Sequence, residues 1–418
     1  MYRGLHVAVL LGVCCASAGG GDWSGFRGAS GASVSGETNL PEVWNESTNV
    51  LWSADVPGLG NSSPAVTRSR VYVTSCEEET ETVWLTALDR STGEVAWQLP
   101  IANGKLIAYG PPSLYEYRHN PATPSPCADD DENVYAYAGT GELVCADREG
   151  NIRWQRNMVD DYGPYDLKFG MASSPRLWGD KLFISCVHKG PSYVVALNKE
   201  TGEEVWLADR NYTALGDATD AYTSPMVLER DGDRPQLVVS GCDHVDAYDL
   251  ETGERLWASR SLELIDQEYA RIIASPAVGD GMVVAASAKA EYAVAVEPDG
   301  SGDVTDTHSK WKLKQMADCP TPTIHDGLVY AVKDDGVGSC IDLETGERVW
   351  RARIGGLRYQ ASPVVADGKV YFLSLEGLCT VIKEGREYEV VSENTIPGDF
   401  YATPAISDGV IFLRDRSR

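Results

Sequence analysis

One short pattern recurs along this chain and constrains its fold more than any other feature. At 246–257 it reads D-A-Y-D-L-E-T-G-E-R-L-W. Residues 87–97, 196–206 and 340–350 repeat it, and 145–154 repeat it one residue short. Each copy reads as the end of one strand, a tight turn through Thr-Gly, and a second strand opening on tryptophan. Glycine supplies the positive φ of the turn, and the carboxylate before it can accept backbone N–H bonds from the same turn. An indole can bury about 200 Å² against a neighbouring unit. Asp89, Trp97, Trp154, Trp206, Asp249, Trp257, Asp342 and Trp350 hold these positions. A pattern repeated at fixed spacing implies one structural unit stacked on itself.

A second marker divides the chain into the same units. Ser/Thr-Pro precedes a small apolar run at Ser63, Ser125, Ser174, Ser224, Ser275, Thr321, Ser362 and Thr403. Proline suits the start of a strand, where no ladder donor is needed. Two short β-branched runs follow each anchor, joined by Asp-Gly or Gly-Asp in several copies, the signature of a tight hairpin. Each unit is then four antiparallel strands, A to D, and the expected fold is all-β: an eight-bladed propeller. The segment 49–56, with Trp52, fits strand D of the last blade, so the propeller is expected to close by pairing an N-terminal strand with that blade. Blades five and seven lack the Thr-Gly pattern. A helical pattern at 261–273 is expected to be no more than a turn in a loop.

The domain boundaries expected are a signal peptide at 1–18, a polar leader at 19–48 and the propeller at 49–418. Arg3, an apolar run at 5–15 and the small residues Ala16, Ser17 and Ala18 form the export pattern. No later stretch is long enough to span a bilayer. The net charge of −26 repels nucleic acid and anionic membranes and suits a basic surface or cationic ligand. Export removes Cys14 and Cys15 and leaves eight cysteines. Cys145 and Cys340 replace the alanine of other repeats, so they read as small buried thiols, as do the strand-ending Cys76, Cys186 and Cys242. A Cys127–Cys319 pairing stays open.

The repeat A-x-D-x-x-T-G-x-x-x-W resembles the tryptophan-docking motif of quinoprotein-like propellers, a group that includes the pyrroloquinoline quinone (PQQ) alcohol dehydrogenases and the BamB scaffold lipoproteins. The leader Trp23–Gly28 and the segments 302–311 and 381–385 resemble the exported PQQ-binding-like β-propeller repeat proteins of planctomycetes. The dehydrogenase resemblance implies a quinone stacked on tryptophan, a vicinal disulfide, Ca²⁺ held by acidic and amide side chains, and an aspartate base. The only adjacent cysteines here are Cys14 and Cys15, inside the expected signal peptide. Calcium-loop patterns at 129–134 and 299–304 carry valine where glycine is required, and read as solvated turns. No catalytic residue and no metal ligand is assigned.

The loops from strand D into strand A carry rings and charges just before the anchors. Asn61, Tyr117, His119, Lys168, Tyr222, Arg271, Tyr359 and Tyr401 are the candidate ligand-binding residues of a central mouth, with Arg118, Phe169 and Phe400 beside them. Rings and polar tips converging on one opening suit a small ligand or a peptide. The sequence therefore predicts an exported, periplasmic or extracellular, monomeric, non-catalytic propeller that binds a protein partner or small ligand on its loop face. A PQQ-dependent oxidoreductase using Ca²⁺ and a BamB-like envelope assembly factor are the alternatives.

Overall fold

A computed structural model of the chain describes residues 9–12 and 22–418, except 115, 117, 231, 261, 263–267, 287–291, 315 and 418. Among the described residues the strands form eight sheets. Seven are blades of four antiparallel strands, beginning at Ala65, Cys127, Arg176, Met226, Ala277, Thr323 and Val364. Blade four gains a fifth strand, Gly302–Asp303, laid parallel on Arg255–Ser259. Blade seven gains Val34–Ser35, parallel to Val364–Ala366.

The eighth blade is assembled differently from the expectation. Its strands A and B are Ala405–Ser407 and Val410–Leu413, and the strand paired to them is Val9–Gly12, within the stretch read as the export leader. The segment 49–56 forms no strand. Trp52 nevertheless fills the docking position: its ring meets Phe412 edge-on and its Nε1 donates to the Arg90 carbonyl in blade one. Trp44, buried in the apolar cluster joining the last two blades, is fastened there by its backbone N–H to Asn394. Residues 261 and 263–267 of the helical pattern lie outside the described residues; among the described residues one short α-helix occurs, Met158–Tyr162, capped by Asn157.

The repeated turn is built as its chemistry requires. Asp249 Oδ1 accepts from the backbone N–H groups of Glu251 and Thr252, Asp89 does the same for Ser91 and Thr92, and Gly253 sits at φ +70°. Tryptophan is the third residue of strand D, not the first. The indole crosses to the next blade: Trp97 donates to Arg148 O, Trp154 to Lys199 O, Trp206 to Leu250 O, Trp311 to Leu343 O and Trp350 to Gly385 O. The indoles of Trp97, Trp154, Trp206 and Trp311 lie on the turn glycine of that blade. A Cβ at Gly253 would stand 2.5 Å from the Trp206 ring, and one at Gly346 2.5 Å from Trp311. Glycine is thus required twice, for its φ and for the face it offers to the indole. Trp257 departs from the scheme. Its Nε1 donates to Gln236 of its own blade, and the ring is fully buried.

The eight described cysteines are free thiols, so Cys127 and Cys319 are not bridged. All but Cys319 are buried. Asp129, read as part of a solvated turn, is buried beneath Asn133, Tyr135 and Lys199 and ties blade two to blade three.

Candidate functional site

The Ser/Thr-Pro anchors do more than start the inner strands. The backbone N–H of each anchor donates to the hydroxyl of the next: Ser63 to Ser125, then Ser174, Ser224, Ser275, Thr321, Ser362, Thr403, and back to Ser63. The eight bonds measure 2.8–3.1 Å. They form a closed girdle that joins every blade to its neighbours, including the last to the first. The repeated Ser/Thr was visible in the sequence as the companion of proline; its function as an interblade acceptor was not foreseen.

The leader closes one side of this girdle. Far from being a polar tail, it buries Trp23, Arg27, Ser33, Leu40 and Trp44. It runs across the inner strands at positions after the anchors: Trp23 bridges Val66, Ser24 O accepts from Ala128, Ser30 O from Val227 and Ser33 O from Val365. Arg27 donates to Gly31 O, Thr321 O and Pro322 O, and Arg176 to Phe26 O, Gly28 O and Pro225 O. Phe26 is thereby held against the axis.

On the other side of the girdle, formed by residues before the anchors, a cavity of about 240 Å³ opens. Phe26 is its floor, the eight hydroxyl residues are its wall, and Asn61, His119, Tyr222, Arg271 and Tyr401 are among its lining residues. Arg118, Phe169, Cys319 and Gln360 also line it. Lys168 stands just behind, its ammonium 3.0 Å from Asp217 and 5.8 Å from the Phe169 ring centre. Tyr359 is not at the mouth; it is wholly buried, with its hydroxyl accepting from Gly356 N and its ring packed in the core shared by blades six and seven. Tyr117 lies outside the described residues.

The polar groups are tied to the scaffold. Asn61 Nδ2 donates to Arg118 O. His119 Nδ1 meets Thr123 Oγ1 at 2.6 Å, and burial lowers its pKa to about 4, so the ring is neutral at pH 7. Asp217 carries two cations, Lys168 at 3.0 Å and Arg271 at 3.3 Å, and the Arg271 guanidinium lies 4.6 Å from the Phe169 ring centre. Asp220 accepts from Lys168 N at 2.8 Å, and its pKa is raised to about 6, chiefly by burial. These bonds fasten the loops around 168, 217 and 271 to one another. Among the described residues one potential metal-ligating group occurs, Asp318, Cys319 and Asp334. Burial holds the Cys319 thiol well above its ordinary range, and Asp334 already accepts from Cys319 N.

The donor set does not fit the Ca²⁺-held quinone that the dehydrogenase resemblance implies. The cavity is lined by neither tryptophan nor carboxylate, and no vicinal cysteine pair occurs among the described residues. Hard divalent cations take charged oxygen ligands, and these residues offer none into the cavity.

Comparison with known proteins agrees on the architecture. The family model described as outer membrane protein assembly factor BamB matches residues 17–185 and 194–418. A curated relative with that description, from Moranella endobia (strain PCIT), is 27% identical over 195 residues, which is 44% of this chain and 48% of the relative. The chain thus matches about half the length of that relative. Among solved structures, BamB from Moraxella catarrhalis aligns with a TM-score of 0.58 at 16% identity, covering 86% of this chain and 95% of that one. A europium-containing methanol dehydrogenase aligns at 0.66 and 12% identity, covering 92% and 87%. The quinohemoprotein alcohol dehydrogenase of Comamonas testosteroni aligns at 0.65 and 12%, covering 92% and 74%. At these identities the likeness is one of fold. No helix among the described residues is long and apolar enough to cross a membrane.

Proposed function

The chain belongs to the outer membrane protein assembly factor BamB family, and on that premise we propose that it is an exported, non-catalytic propeller that holds a protein partner or small ligand at the loop face of its axial cavity. The observation that carries this reading is the cavity itself: closed below by Phe26, girdled by eight anchors and rimmed by Tyr222, Tyr401, Arg118 and Arg271. Rigid scaffolds that present rings and arginines around an opening suit recognition. The titratable groups facing the cavity support a non-catalytic role. His119 is neutral far below pH 7, and the Cys319 thiol is held protonated, so neither is tuned for proton transfer near neutrality. The description of the relatives as assembly factors supports a protein partner, and the apolar run after Arg3 supports export.

The test is capture from a cell-envelope extract by the wild type and by the Tyr222→Ala/Tyr401→Ala variant. Loss of a captured partner with the fold retained supports the loop face; undiminished capture removes it as the site. Purified protein mixed with PQQ and Ca²⁺ is expected to show no bound quinone and no dye-linked alcohol oxidation, and turnover would overturn the non-catalytic reading.

A further inference from the structure

The charge of the whole chain, 62 acidic against 36 basic residues, points to cationic partners, yet the axial cavity departs from that composition. No carboxylate lines it, while Arg118 and Arg271 both do. Asp217, which pairs with Arg271, is shared with Lys168. Beneath the floor, Arg27 and Arg176 are 0% and 2% exposed and form no ion pair among the described residues. Their partners are carbonyl oxygens, Thr323 Oγ1 and the Met226 sulfur. Burial lowers the Arg27 pKa to about 9, with repulsion from Arg176 adding to the effect, so both guanidinium groups still carry their charge at pH 7. A buried cation without a counter-ion is costly unless something compensates its field.

The wall has a matching asymmetry. Each of the eight girdle hydroxyls accepts one backbone N–H, and among the described residues none donates to a protein acceptor. The anchors are 2–5% exposed. A serine or threonine hydroxyl that accepts still has one proton to donate, so the girdle offers a ring of unused donors between the two pairs of arginines. Donors on the wall and guanidinium charge beneath the floor form an environment that accepts negative charge.

We propose that the axial cavity is a binding site for a small oxyanion, a carboxylate or phosphoryl group, held by the girdle hydroxyls and by Arg118 and Arg271 over the field of Arg27 and Arg176. This deepens the proposed function and rests on the loop-face cavity being the binding site. An acidic side chain or chain terminus of a partner and a free metabolite share this chemistry.

The full chain is titrated calorimetrically at low ionic strength with citrate, with inorganic phosphate and with glycerol as the uncharged control, and the titrations are repeated on Arg118→Gln/Arg271→Gln. One anion bound per chain, at least tenfold weaker in the double variant, with glycerol not binding, is the expected result. Citrate alone binding assigns the site to carboxylates, and phosphate alone to phosphoryl groups. Binding of neither anion, equal binding of glycerol, or less than a threefold loss in a folded double variant overturns the proposal. If the double variant does not fold, phosphorus NMR on the wild type decides: citrate must displace phosphate, and independent binding of both overturns it. Partner capture that is lost in Tyr222→Ala/Tyr401→Ala while anions fail to bind would leave the loop-face reading standing and remove only its anionic chemistry.

Discussion

Replacing Gly253 by alanine separates two costs that the repeated turn imposes. Gly253 and Gly327 share φ +70°, but a Cβ at Gly327 meets nothing within 4 Å, whereas one at Gly253 stands 2.5, 2.6 and 3.0 Å from three atoms of the Trp206 indole. Gly327→Ala therefore carries the left-handed penalty alone, about 1 kcal/mol. Gly253→Ala adds displacement of an indole that donates to Leu250 O at 3.0 Å. Losing that bond and part of the packing brings the total to about 3 kcal/mol. With an unfolding entropy of about 2 cal/mol/K per residue, a chain of this size loses roughly 1 °C in Tm for the first variant and roughly 4 °C for the second. Differential scanning calorimetry of both proteins at one scan rate measures the gap. Equal losses would refute the idea that the glycine is the seat of the neighbouring tryptophan.

Three further outcomes follow from particular contacts. Ser224→Ala leaves the Ser174 N–H without its acceptor and is expected to cost about 1–3 kcal/mol, whereas Ser224→Thr, the residue natural at 321 and 403, should be nearly neutral in urea denaturation. Trp257→Ala removes a fully buried indole and should cost about 3–5 kcal/mol, read from the same assay. The Asp220 pKa, raised to about 6, means that the folded state binds this proton more tightly than the unfolded one. Its contribution to stability is then fully present below about pH 4 and lost as the pH rises towards 6 and above, a difference of about 2–3 kcal/mol. Asp220→Asn should flatten that part of the stability-versus-pH profile, and a variant profile as steep as that of the wild type would contradict the assignment.

The architecture was legible because its signals are local and repeated. Asp, Thr-Gly and Trp within eleven residues specify a turn and a docking ring, and Ser/Thr-Pro at each unit marks the inner strand. What escaped the sequence depends on contacts between distant segments. Arg27 bonds to Thr321 and Pro322, 294 and 295 residues away, and nothing near Arg27 distinguishes a channel floor from a polar leader. Trp52 docks as a strand-D tryptophan although its segment forms no strand. Tyr359 stands three residues before its anchor, like the buried Phe400, whereas Asn61, Tyr222, Gln360 and Tyr401 stand two before theirs and line the cavity; its ring lies in the core between blades. One residue of offset before the anchor thus separates a ring in the core from a side chain at the mouth. The one missed signal that could have been read is the hydroxyl at every anchor, since proline alone would have served to start a strand.

The central claim is that recognition occurs at the loop-face cavity. Hydrogen exchange across the whole chain, measured with and without the captured partner or the bound anion, tests it most directly. Added protection is expected in the segments around 61, 118–123, 169–174, 271–275, 360–362 and 401–403, which line the cavity. Protection confined to the outer strands of the blades or to the floor at 22–35, with these segments unchanged, would contradict it.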